Sequence, residues 1–162
     1  MQLAQYDPQW PILFGREAAR VQAALGDRVV RIEHVGSTSV PDLAAKPVID
    51  IVLVVADSTA EDAYVPALES SGYVLRIREP EWFEHRMFKG ANPNVNLHVF
   101  SSGCPEVDRM LRFRDWLRAN AVDRELYQRT KLALAQQEWG EVQNYADAKS
   151  AIVAEILARA RA

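Results

Sequence analysis

The chain carries a single cysteine, Cys104, so no internal disulfide can form, and no Cys/His cluster has the spacing of a zinc site. It has no surplus of positive charge. A net charge of -3 argues against a general nucleic-acid binder, which relies on an excess of Lys and Arg to meet phosphates. No apolar run reaches membrane-spanning length, and Asp7 and Pro8 stand where a secretory peptide needs an apolar core, so the expected compartment is the cytoplasm. Repeats, low-complexity tracts and linkers are absent too. What remains is one ordinary domain of 162 residues, 49% hydrophobic and 25% charged, long enough to bury a proper core.

The pattern centres on residues 34 to 55. Val48-Ile49-Asp50-Ile51-Val52-Leu53-Val54-Val55 is an apolar, β-branched run of the kind that forms a central strand covered on both faces. Asp50 is its one ionisable residue. An unpaired buried charge costs several kcal/mol, so this carboxylate sits at a pocket, holds a cation or meets waiting donors. Just upstream, Gly36-Ser37-Thr38 opens a hydroxyl-rich loop whose backbone N–H groups suit an anion.

Along the chain, Leu13, Phe14, Ala18, Val21 and Leu25 recur at helical spacing and predict a helix over Pro11 to Leu25, closed near Gly26. Val29 to Val35 alternates as a half-buried strand. Ser58 to Ser70 reads as a helix with a Ser58-Thr59 start and Gly72 past its end. Tyr73 to Ile77, Trp82 to Lys89 and Val95 to Phe100 read as strands, the last two joined through the Asn92-Pro93-Asn94 turn. Glu106 to Asn120, Asp123 to Glu138 with Asp123 as N-cap, and Val142 to the C-terminus read as helices. The expected class is α+β in a single domain: residues 1 to about 104 hold the sheet and about 105 to 162 the helices.

The segment HVGSTSVPDLAAKPVIDI closely resembles the signature of the GrpB-like family, bacterial proteins with a nucleotidyltransferase-type fold whose domain also occurs fused behind dephospho-coenzyme A kinase. Tyr6-Asp7-Pro8-Gln9-Trp10-Pro11, Asn96-Leu97-His98-Val99, the 113–118 segment FRDWLR, and Tyr145 with Lys149 extend the resemblance over nearly the whole chain. It implies a nucleotidyltransferase-like mixed sheet with a C-terminal helical part. It also implies a site in which Ser37 and nearby amides hold phosphate while carboxylates hold Mg2+. The usual second acid two residues on, on the same strand face, is here Val52, which speaks against two-metal chemistry and leaves one magnesium on Asp50 and substrate phosphates.

Candidate site residues follow. Asp50 would carry the metal and, with His98, the chemistry. Gly36, Ser37, Thr38, Lys46, Arg86, Tyr145 and Lys149 would surround the phosphates, with Lys89 an alternative to Arg86 on the same strand. Lys149 shares a helical stripe with Tyr145, Ile152 and Ile156, so it is a lysine on the buried side of its helix that must snorkel out, pair with a carboxylate or point into a cleft, and the family resemblance implies the cleft. His34 and His85 read as structural, Cys104 as inert, and most arginines of the 106–120 helix as surface charges or ion pairs. The expected ligand is a nucleotide or phosphorylated small molecule, with magnesium-dependent nucleotidyl or phosphoryl transfer as one activity. The alternative is a non-catalytic accessory or folding module that assists a protein partner such as dephospho-coenzyme A kinase.

Overall fold

The β-branched run becomes β2 (Ile49–Val55), the second strand of a five-stranded sheet, in a computed structural model that describes residues 3–136 and 142–160. The other strands are β1 (Arg31–Val35), β3 (Val74–Glu79), β4 (His85–Gly90) and β5 (Val95–Ser101), in the order β1-β2-β5-β4-β3. β2 and β5 pair in parallel and every other neighbour is antiparallel. The sheet is therefore mixed. The Asn92-Pro93-Asn94 turn closes the β4–β5 hairpin, with Lys89 opposite Asn96.

Alternation along β2 divides the core in two. Ile49, Ile51, Leu53 and Val55 face α1 (Gln9–Leu25) and α2 (Val65–Ser70), packing with Trp10, Val21, Leu25 and Leu68. Val52 and Val54 face α3 (Pro105–Ala119) and pack with Val35, Phe100, Val107 and Leu111. α4 (Ala121–Gln136) and α5 (Val142–Ala160) complete the helical part. A third cluster joins Val40 and Leu43, from the loop after β1, to Leu117, Tyr127, Ile152 and Ile156. Three helices thus close over that loop, and the mixed sheet with its helices is the α+β arrangement expected from the sequence.

Several boundaries differ from the expectation: α1 begins at Gln9, β1 begins at Arg31 and β3 is shifted to Val74–Glu79, and three further differences have a clear physical cause. Ser58 does not cap a helix: its hydroxyl donates to the Glu84 carbonyl at 2.8 Å and its N–H to Ser101 Oγ at 2.8 Å, which ties it to the sheet. A short 3-10 turn over Glu61–Ala63 follows, and the helix begins only at Val65, where Pro66 can occupy the first turn without an N–H. Trp82 to Glu84 form a turn rather than strand, with Phe83 and Glu84 at φ 56° and 51°. The cap of α4 is Asn120, whose Oδ1 accepts the Asp123 N–H at 2.9 Å. Asp123 itself is buried and receives Arg159 and Trp116, so its carboxylate fastens α5 to α3 and α4.

Candidate functional site

The loop after β1 lies directly on Asp50. Gly36 has φ 72°, a conformation that favours glycine, and a Cβ there would stand 2.6 Å from Asp50 Oδ2. Ser37–Ser39 then form one 3-10 turn, whose leading N–H groups, those of Ser37 and Thr38, have no partner within the turn. Glycine here lets backbone approach a carboxylate. The same turn fixes the Ser37 hydroxyl opposite the helical part.

Beside this turn is a cavity of about 410 Å³, with Asp50, Asn96 and Lys89 from the sheet on one side and Lys131 of α4 and Lys149 of α5 on the other. Lys46 lies at its edge. Lys89 Nζ donates to Asn96 Oδ1 at 2.6 Å and Asn94 Oδ1 at 2.9 Å. Lys131 is 4% exposed and donates to Ser37 Oγ at 2.6 Å and the Ala44 carbonyl at 3.2 Å. Burial, reinforced by Lys149 and Lys46 and opposed by Asp50, pushes the Lys131 ammonium down to about 7. Burial also lowers Lys149, with Asp50 opposing and Lys46 adding to the effect. Four lysines converge on a space that holds one aspartate.

His98 sits next to Asp50 on the same sheet face, its Nε2 3.4 Å from Asp50 Oδ1. Its Nδ1 is 3.0 Å from His85 Nε2, and His85 Nδ1 is 2.7 Å from Glu79 Oε1. The two rings stack, with centroids 5.2 Å apart. His85, read as structural from sequence, is therefore linked to the candidate site through His98.

Not every expected residue is brought together. Arg86 lies on the opposite sheet face, beside Phe88, where it donates to Glu61 Oε2 at 2.9 Å and the Glu84 carbonyl at 2.8 Å. Arg78 shares that carboxylate, and the two guanidiniums, against some burial, hold Glu61 down to about 2. Arg86 is thus committed to an ion pair away from the cavity, and the cation this strand contributes is Lys89. Thr38 lines the cavity, but its hydroxyl donates to the Val48 carbonyl at 3.0 Å and receives His34 Nε2 at 2.9 Å, so it is occupied in holding the loop. Burial, with Arg118 and Arg114 adding and Asp50 opposing, brings His34 down to about 4, so that ring is neutral. Val52, at the position of the usual second acid, is wholly buried among Phe100, Val107 and Leu111. The side chain of Tyr145 lies outside the described residues.

Two α3 arginines are more than surface charges. Arg114 donates to the His34 carbonyl at 3.1 Å and Arg118 to the Ser39 carbonyl at 2.9 Å, bracing the Gly36 turn from the helical side. Lys131 is the site residue that sequence reasoning missed. Its signal was available: Tyr127, Lys131 and Leu134 repeat the i, i+4, i+7 spacing of Tyr145, Lys149 and Ile152.

The GrpB protein family model matches residues 1–159. A UPF0157 protein of Halalkalibacterium halodurans is 64% identical over 160 residues, 99% of this chain and 82% of its own length. A dephospho-CoA kinase of Mycolicibacterium paratuberculosis is 31% identical over 175 residues, 92% of this chain but only 43% of that longer protein. The crystal structure of the conserved protein GrpB from Enterococcus faecalis superposes with TM-score 0.85 at 30% identity, covering 98% of this chain and 96% of the other.

Proposed function

Because this chain belongs to the GrpB family, whose model spans nearly all of it, we propose that the cavity at Asp50 binds a nucleotide or another phosphorylated small molecule. One observation carries the reading. Lys46, Lys89, Lys131 and Lys149 meet around a cavity with one carboxylate on its sheet side, and the two whose charge burial disfavours, Lys131 and Lys149, are stabilised by an anion. The Ser37 and Thr38 amides would receive phosphate oxygens at the turn. Lys131 and Lys149 would neutralise them from the helical side, so a single ligand would join the two halves of the chain.

A magnesium ion fits only as part of such a ligand. Asp50 is one carboxylate, Val52 is core, and among the described residues no group of three His, Cys, Asp or Glu side chains could hold a metal. Asp50 would therefore hold one ion whose other ligands are phosphate oxygens and water, and that ion would neutralise phosphate charge. The donor set does not support two-metal nucleotidyl transfer.

A second reading, an accessory module assisting a partner such as dephospho-coenzyme A kinase, is favoured by the longer relatives of that name, in which the matched part is 43% of the protein. A thermal-shift panel of nucleotides and coenzyme A precursors, with and without magnesium, separates the two. A ligand at a hundred times its dissociation constant adds about 2.7 kcal/mol of stability. We expect a nucleotide or phosphorylated precursor to raise the melting temperature, and Lys149→Met to reduce that rise while leaving the unliganded protein nearly as stable. A flat panel would favour the module.

A further inference from the structure

Glu79, His85, His98 and Asp50 form an unbroken row across β3, β4, β5 and β2, with separations of 2.7, 3.0 and 3.4 Å. Each of the three gaps needs one hydrogen to be a hydrogen bond. Carboxylates accept and do not donate, and each neutral imidazole brings one N–H, so two hydrogens serve three gaps. When both rings are neutral, one gap is left with two acceptors facing each other.

The distances say which gap that is. Glu79 and His85 approach to 2.7 Å, the length of a charge-assisted bond, which requires a hydrogen on His85 Nδ1. His85 Nε2 is then a bare acceptor, so the 3.0 Å contact requires the hydrogen of His98 to be on Nδ1. That leaves the lone pair of His98 Nε2 beside Asp50, across the longest of the three gaps. The reverse order would set a bare His85 Nδ1 against a carboxylate oxygen at 2.7 Å, the costliest place for two acceptors to meet. Burial, against the pull of Glu79, lowers the His85 imidazole and so favours the neutral ring that this count assumes. Trp82 packs edge-on and Phe100 tilted against His85, which fixes the plane in which its nitrogens point.

We infer that Glu79 and His85 are positioning residues that lock His98 in its Nδ1–H tautomer, leaving Nε2 as a bare acceptor next to Asp50, the member of the row that lines the cavity and through which the row meets a ligand. The role at the ligand rests on the reading of the cavity given above. The tautomer does not.

Long-range proton–nitrogen correlation spectra of the 15N-labelled full chain test this, because the chain has three histidines and each has an assigned tautomer. His34 serves as the internal control. The Thr38 hydroxyl spends its one hydrogen on the Val48 carbonyl, so His34 must donate from Nε2. The expected spectrum at neutral pH shows His34 as Nε2–H and both His85 and His98 as Nδ1–H. In His85→Phe, which keeps a ring against Trp82 and Phe100, His98 should turn over to Nε2–H and donate to Asp50 while His34 stays unchanged. In Glu79→Ala both histidines of the row should become tautomer mixtures. Finding His98 as Nε2–H in the parent would overturn the inference, as would His98 unchanged in His85→Phe. The spectra are taken without ligand, so they decide the row independently of the thermal-shift panel that decides the cavity.

Discussion

Lys131 is the residue on which the site's electrostatics turn. Its ammonium is pushed from an ordinary 10.5 to about 7, chiefly by burial, so between those values the unfolded chain binds a proton that the folded chain has released. Stability contributed by this group therefore rises with pH over that window: the penalty for burying its charge is fully present below about pH 7 and is gone above 10.5. Lys131→Met removes the penalty together with the bonds to Ser37 and Ala44. Relative to the parent, the variant should be favoured most at pH 6 and progressively less toward pH 10, as urea unfolding series would read. A difference that stays flat with pH would mean that Lys131 titrates as an ordinary lysine. An anion beside Lys131 draws the proton back, so phosphate binding should take up protons and weaken above about pH 7.

At the level of elements, β2 shows how far the departure at Val52 reaches. Its side chain is sealed between the sheet and α3 by Phe100, Val107 and Leu111, so restoring an acid there would bury a charge in a dry layer. Val52→Asp should lower stability by about 3 kcal/mol or more, measured as a lower denaturant midpoint with unchanged slope. A well-folded variant that gained magnesium binding would show instead that this layer can open. Much of this was legible in the sequence. The β-branched run with a lone Asp50 marked both the central strand and the site, and the stripe of Ile152 and Ile156 aimed Lys149 inward. Alternation also held the answer for Arg86, which shares its strand face with core Phe88, while His85 and Lys89 share the other. Contacts between distant segments were not legible: Lys131 with Ser37 spans 94 residues, and Ser58 is held by Ser101 and Glu84 rather than by the helix it precedes. Local pattern gives a residue's face and leaves its partner to the tertiary fold.

For the molecule as a whole, a net charge of -3 coexists with four lysines around one cavity, so the sign of the surface and the sign of the site differ. An anion that entered would meet the sheet half through the Gly36-Ser37 turn and the helical half through Lys131 and Lys149. The two halves already touch there through the Lys131–Ser37 bond, and α3 braces the same turn through Arg114 and Arg118. If this seam is a phosphate site, a crystal of the protein soaked with ATP and magnesium should show it. Phosphate density is expected within hydrogen-bond reach of the Ser37 and Thr38 amides and of the Lys131 and Lys149 ammonium groups. Phosphate density confined to the outer arginines of α3, Arg109 and Arg112, with the cavity empty, would contradict it.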